Sequence, residues 1–368
     1  MFNFIQSVGT VVQIEETRND YEIFRLHYIC TVGLFLIFFI VLTITQFVGH
    51  PISCEVTSSE TIASINTFCW IHPPYVIPKA FEKQVGKEIA HPGLDDTKDP
   101  TQFYYIRYYQ WVYFMHFLQA FFFYLPRWLW ITWEGGKMKT LTRDFNNLLL
   151  PEKELNKKVS ALSRYLVKSW STHSAYVGQY FFCELLSLIN VMGQFFILDT
   201  FFDGKFYDFG VKIVDFYTSH NYIHGANQTQ DIMGNPMIML FPRMTKCLFR
   251  KYGESSTIEV RDILCVMSLN VINEKFYVFL WFWFVILAIL TTSSLVMNLF
   301  LIISASIRVC ALRARFSHIH KRDLQTIAKM GTFSDWFMVD MIGRNIDHVI
   351  FKDLITDVAK ELTHNKNA

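Results

Sequence analysis

The sequence has no run of Lys and Arg that could track a phosphate backbone, and 34 basic against 32 acidic residues leave a formal net charge of only +2. Nucleic acid is therefore not expected as a partner. A phosphate-cradling P-loop, a Gly-x-Ser-x-Gly nucleophile elbow and a His-Glu-x-x-His zinc motif are all missing. No enzyme activity and no cofactor are expected. His318 and His320 form a lone pair in a basic tail, too few for a metal site. There is no internal repeat and no low-complexity tract. Residues 1–28 lack the basic start, short apolar core and small-residue cleavage site of a secretory signal, so the first apolar run is expected to serve as both signal and anchor.

Charge is scarcest in four long stretches. With 52% hydrophobic and 17% aromatic residues, 36 of them Phe, the chain is too apolar for an ordinary soluble domain. Ile29 to Val48 carries no formal charge, nor does Tyr108 to Leu125. Ser174 to Leu198 holds one, Glu184. Phe276 to Ile307 is charge-free over 32 residues, about 48 Å of helix against a bilayer core of about 30 Å, so it must tilt or extend beyond the membrane. Tyr108, Tyr109 and Trp111 open the second run, and Trp128, Trp130 and Trp133 follow its end, as two interfacial belts. Pro126 is expected to kink or end that helix.

This pattern predicts an all-α membrane protein, a four-helix bundle with a cytosolic helical dome and disulfide-linked extracellular loops. The expected boundaries are a cytosolic N-terminal helix at 1–28 and membrane spans at 29–48, 108–133, 174–198 and 276–307. Outer loops then occupy 49–107 and 199–275, a cytosolic loop 134–173 and a cytosolic helical C-terminal region 308–368. Lys and Arg are frequent at 127–168 and 308–366 and sparser at 49–102, which places both termini inside. Four of the seven cysteines, Cys54, Cys69, Cys247 and Cys265, fall in the two outer loops, where an oxidising environment would preserve disulfides. Cys54 and Cys265 lie closest to the membrane runs and Cys69 and Cys247 further out. A nested pairing, Cys54 with Cys265 and Cys69 with Cys247, fits those heights; pairing within each loop remains the alternative.

Helical patterns are expected at Glu152 to Trp170, near Ser334 with that serine as N-cap, and at Ile350, Leu354, Val358 and Leu362 behind an Asp347 cap. Glu184, Ser187, Asn190 and Gln194 share one face of the third span. They read as hydrogen-bonding glue between helices, with His116 or Gln119 as expected partners, in preference to a pore or proton path. Arg308 to Arg322 is either a contact for anionic membrane lipid or a solvated face. Cys310 beside it is a generic acylation candidate. Asn227-Gln228-Thr229 is the single Asn-x-Ser/Thr match, a candidate glycosylation site on an outer loop. In residues 1–14, Phe2, Ile5, Val8 and Val12 recur near helical spacing, and periodicity alone favours an interfacial helix.

The order Tyr108-Tyr109-Gln110-Trp111-Val112 resembles the signature of the innexins, the invertebrate gap-junction proteins. The resemblance extends to Gly49-His50-Pro51-Ile52-Ser53-Cys54, Phe68-Cys69-Trp70-Ile71, Trp133-Glu134-Gly135-Gly136, Phe241 to Cys247 and Asn270 to Trp283. It implies disulfides between the two outer loops and a homo- or hetero-oligomeric ring of like subunits. It also implies a large passive pore docked to a channel on the neighbouring cell at the plasma membrane. The N-terminal helix would then tuck into the pore, making Phe2, Asn3 and Gln6 the candidate pore-lining residues, with Asn3 and Gln6 facing the lumen. An undocked channel releasing small molecules, and a pore-less tetraspan adhesion protein, are the alternatives.

Overall fold

The computed structural model describes residues 17–55, 62–97, 99–143, 145, 151–219, 234–253 and 255–367. Four long helices dominate them: α1 (Glu22–Phe47), α2 (Val112–Glu134), α3 (Ser174–Phe201) and α4 (Ser268–Ile303). Leu26–Thr31 within α1 is a π-helical segment. By length and composition α1, α3 and α4 are sufficient to cross a membrane. Helix α2 spans 23 residues but is not among them. Its Tyr and Trp rings, His116, Gln119 and Arg127 make it more amphipathic than the other three.

The chain divides into two compact units. The first comprises Met1–Val32, Phe122–Asn190 and Ala288–Ala368. It is helical, with Glu152–Lys168, Ala305–Arg315, Lys321–Met330, Phe333–Gly343 and His348–Asn367 beside the ends of the long helices. Its core gathers Trp130, Tyr180, Phe316, Phe337, Phe351 and Leu354, all essentially inaccessible to solvent. Val159, Leu162 and Leu166 sit at helical spacing and turn one stripe of Glu152–Lys168 inward. Phe333–Gly343 starts with a capping box in which Thr332 and Asp335 satisfy each other's backbone amides, so the N-cap is Thr332 where the sequence pointed to Ser334. Asp347 caps the last helix, accepting from Val349 N at 2.8 Å.

Helix α2 runs through Pro126 to Glu134, one residue past the expected end of the span at 133, so the proline does not end it; the start of α2 and both ends of α4 differ from those expected. Just beyond the proline, the Arg127 guanidinium donates to Asn19 Oδ1 at 2.7 Å and Asp20 Oδ2 at 3.0 Å, and Trp130 Nε1 donates to the Asn19 carbonyl at 3.0 Å. These contacts hold the helical turn despite the lost amide donor. The Trp-Glu-Gly-Gly motif then ends it. Gly135 and Gly136 take positive φ of 60° and 76°, and the Glu134 carboxylate accepts from Gly136 N and Met138 N. Helix α4 begins at Ser268, eight residues before the apolar run, and stops at Ile303. Ser304 is extended, and Arg308 donates to the Leu301 and Ile302 carbonyls at 3.2 Å, satisfying acceptors left open at the helix end.

The second unit comprises Gly33–Phe121 and Val191–Leu287, and it corrects the all-α expectation. It holds a five-stranded antiparallel sheet in the order β1 (Ser53–Cys54), β5 (Ile258–Val266), β4 (Met244–Tyr252), β2 (Tyr75–Val76), β3 (Tyr104–Tyr105). Thr245 and Cys247 alternate with more exposed neighbours along β4, and Ile263 and Cys265 along β5, which is the pattern of half-buried strands. A second group of rings, Tyr108, Phe202, Phe206, Phe241 and Tyr277, packs edge-to-face and stacked at centroid separations of 4.8–6.0 Å.

Candidate functional site

Beside the sheet lie the four loop cysteines. Cys54 is bonded to Cys265 and Cys69 to Cys247. Both bridges are buried with Ile52, Ile65 and Ile263, and the Cys54, Cys69 and Cys265 sulfurs lie within 4.8 Å of one another. All four thiols are consumed, so this sulfur cluster offers no thiolate to a metal. β1 pairs Cys54 directly with Cys265, and Cys69 lies on the helix Ile62–Ile71. The three free cysteines, Cys30, Cys183 and Cys310, belong to the first unit.

Residues Tyr108 to Val112 act as a clasp. Tyr108 Oη donates to the Leu240 carbonyl at 2.8 Å. Tyr109 Oη and Gln110 Nε2 both donate to the Trp70 carbonyl, and Gln110 Nε2 also reaches the Ile71 carbonyl at 3.3 Å. These are the last carbonyls of Ile62–Ile71, which carries Cys69. Val112 is buried and Trp111 exposed. The signature therefore fastens one disulfide-bearing helix to the start of α2 and supplies the end of that helix with donors.

Two ionic clusters went unnoticed in the sequence. Glu274, 0% exposed, accepts from Arg243 Nη2 at 2.9 Å and Lys275 Nζ at 2.9 Å. Asn270 Nδ2 donates to the Pro242 carbonyl at 2.7 Å. Together they tie Phe241 to Cys247 to the first turns of α4. The signal was present, since the likeness at 241–247 and that at 270–283 place these residues in two flanking segments. In the second cluster Lys246 Nζ contacts Asp262 Oδ2 at 2.8 Å and the Asp95 carbonyl at 2.8 Å, while Lys83 pairs with the Asp95 carboxylate. The hydrogen bond from Lys83 holds the Asp95 carboxyl below the usual carboxylate range. Burial, followed by the nearby Asp262 carboxylate, pushes the Tyr75 phenol up.

In the first unit Glu184 accepts from Ser294 Oγ and from Asn298 Nδ2, the latter at 2.9 Å. Glu184 therefore finds its partners on α4, while Ser187 donates to the Cys183 carbonyl at 3.0 Å within α3. His116 and Gln119, the expected partners, instead bond each other at 3.1 Å within the second unit. The segment leading into α1 is anchored as well. Asn345 exchanges two 2.6 Å hydrogen bonds with the backbone of Arg18, and Tyr21 Oη donates to Asp340 Oδ2 at 3.1 Å. Asp340 is 0% exposed and also pairs with Arg315 and Arg344. Burial and Asp340 push the Tyr21 phenol well above its ordinary value. The candidate pore-lining residues Phe2, Asn3 and Gln6, and the candidate glycan acceptor Asn227, lie outside the described residues.

The innexin family model matches residues 20–362. Innexin shaking-B of Drosophila melanogaster is 39% identical over 368 residues, covering 100% of this chain and 96% of that protein. Innexin inx1 of Schistocerca americana is 38% identical over 363 residues, covering 98% of each. Innexin inx2 of Drosophila melanogaster is 34% identical over 369 residues, covering 100% of this chain and 98% of its own length. With the matched model spanning nearly the whole sequence, the chain belongs to the innexin family.

Proposed function

We propose that the chain is a subunit of a large-pore gap-junction channel that passes ions and small molecules between adjacent cells. Family membership over the full length supports this reading. The observation that carries it is the division of the cysteines: the two bridges join the loops at 49–107 and 199–275, and the three free thiols lie elsewhere. Disulfides persist in oxidising compartments, so both loops face outside and both termini the cytosol. α1, α2, α3 and α4 are the four spans. Helix α2 serves as the fourth through its outward rings Phe114, Phe117, Phe121 and Trp128, which suit lipid or neighbouring subunits. A closed ring of like subunits supplies the pathway. Residues 1–14 fold into the cytosolic mouth, with Asn3 and Gln6 toward the lumen. Permeation is passive and sets no requirement for a cofactor.

Dye transfer between paired cells tests the reading. Cells expressing the chain should pass a small fluorescent anion to their neighbours. Uptake by single cells without transfer would favour an undocked channel, and neither behaviour would leave the adhesion protein.

A further inference from the structure

β4 and β5 pair without interruption from Met244↔Val266 to Tyr252↔Ile258. Among the described residues only the base of this ribbon is covered. β1 reaches β5 at Cys265 and Val266, with one further bond from Glu55 N to the Leu264 carbonyl at 2.9 Å, and β2 meets β4 at Lys246 alone. Beyond that, among the described residues, the ribbon has two free edges. Every residue from Ile258 to Asp262 is exposed, including Ile258 at 64% and Val260 at 57%, and Tyr252 opposite is 78% exposed. A two-stranded ribbon with apolar side chains in water is marginal by itself and a template for strand addition.

We infer that the open edge of β5 is a docking surface for β5 of a second copy of this chain, contributed by the channel on the facing cell. The inference rests on the channel reading above. Three features select this occupant. The first is hydrogen-bond parity. The Leu264 carbonyl faces β1, so the amides of Asp262, Val260 and Ile258, two and four and six residues back, face the same open side. The second is charge. An antiparallel copy placed about a two-fold axis through Val260 sets Val260 against Val260, Ile258 against Asp262 and Glu259 against Arg261. Glu259 and Arg261 then form two opposite-charge cross-strand pairs in the closer, non-hydrogen-bonded register. Within the chain Asp262 pairs with Lys246 at 2.8 Å and Glu259 with Lys251 at 3.2 Å, so the Arg261 guanidinium, 3.9 Å from Glu259, is the charge that gains most from a facing Glu259. The β4 edge offers no such match, because Arg250 and Lys251 are adjacent and a two-fold pairing there opposes like charges. The third is symmetry. Two-fold strand pairing is isologous, which head-to-head docking of two identical rings provides and the head-to-tail contact between ring neighbours does not.

The test uses full-length chains in paired cells, with junctional conductance and single-cell dye uptake both read. Glu259→Arg places an arginine against each facing Arg261, and Arg261→Glu opposes glutamates. Each variant paired with itself should lose coupling by about tenfold or more, since like charges meet at every contact. Pairing a Glu259→Arg cell with an Arg261→Glu cell restores opposite charges everywhere and should recover conductance to within about threefold of the unsubstituted pair. Val260→Pro removes an outward amide without breaking a β4–β5 bond and should also uncouple. Val260→Cys should form an interchain disulfide between differently tagged chains only where cells touch, because directly opposed α-carbons in this register lie about 5.5 Å apart. Undiminished coupling in the self-paired variants, loss that the mixed pair does not rescue, or no cross-link would each overturn the inference. An unsubstituted chain that conducts in neither paired nor single cells would instead overturn the channel reading, so the two failures are separable.

Discussion

Removing the inner disulfide should loosen the cap by an amount the topology sets. Cys54–Cys265 and Cys69–Cys247 span 211 and 178 residues. Because they are nested, either bridge formed second closes the same smaller ring, made of the residues between Cys54 and Cys69 and those between Cys247 and Cys265, roughly 35 in all. The chain-entropy relation gives about 4 kcal/mol for a ring of that size. Cys69→Ala with Cys247→Ala should therefore raise the open population of the cap by several hundredfold, about 1.4 kcal/mol being tenfold. Removing Cys54 and Cys265 instead should cost about the same, as it opens the same ring. Cleavage by a protease under native conditions, in detergent and without reductant, reads that population when reclosing is fast. Peptide mapping of the unsubstituted protein by mass spectrometry reads the connectivity. An acceleration below about threefold, or a peptide linking Cys54 to Cys69, would refute the reasoning.

A charge at the N-terminal segment should change permeation: Asn3→Asp and Gln6→Lys should shift single-channel conductance or ion preference, because a ring of like charges biases passage; unchanged currents count against the pore-lining assignment. Glu184→Leu strands Ser294 and Asn298 and should lower thermal stability in detergent by about 1–2 kcal/mol, whereas Glu184→Gln, which retains an acceptor, should lose less. His173 is buried, and burial first and Lys137 second hold its pKa below the ordinary value, against the pull of Asp335. The unfolded chain then takes up a proton before the folded one does. Stability should fall as pH drops through about 6.5 and stop falling below the folded pKa. Melting between pH 7.5 and 5 checks this, with His173→Phe flattening the dependence. Asn227→Gln should leave dye coupling intact, with any glycosidase-sensitive gel shift abolished; coupling that appears only in the variant would favour the undocked channel.

The long helices were legible because their signal is one-dimensional. A run of eighteen or more residues with at most one formal charge states its conformation without reference to the rest of the chain. Their ends were not, because tertiary contacts set them. Pro126 does not end α2, since Arg127 and Trp130 are held by Asn19 and Asp20, more than a hundred positions away. α4 begins early because Asn270 and Glu274, polar and unhelpful to a hydropathy reading, are satisfied by Pro242 and Arg243. The sheet was the larger omission. Ile258-Glu259-Val260-Arg261 alternates with period two, a strand signal of a kind that four residues between two loops express weakly. β1, β2 and β3 are two residues each and carry no periodicity at all; their extended conformation follows from pairing with β4 and β5.

The same distinction explains what the signature residues do. Tyr108, Tyr109 and Gln110 stood out as an interfacial belt and a family motif, and neither property says what they hold. Their donors converge on the carbonyls of Trp70, Ile71 and Leu240, at the end of the helix bearing Cys69 and on the chain just ahead of the strand bearing Cys247. The clasp and the inner disulfide thus restrain the same two segments, one by hydrogen bonds and one covalently. A cap presented to another cell has to keep the β4–β5 ribbon in a fixed orientation, and among the described residues the ribbon has no support beyond its base. Rigidity at that base is what makes a weak, charge-matched strand edge usable for docking, because each pair across it contributes only about 0.2–1 kcal/mol and no interaction of that size can also bear the cost of ordering the ribbon. It follows that Tyr109→Phe combined with Gln110→Ala, which frees the Trp70 and Ile71 carbonyls while leaving both disulfides, should weaken coupling between cells more than it weakens dye uptake by single cells. Equal loss of both readouts would mean that the clasp serves folding of the subunit and has no separate part in docking.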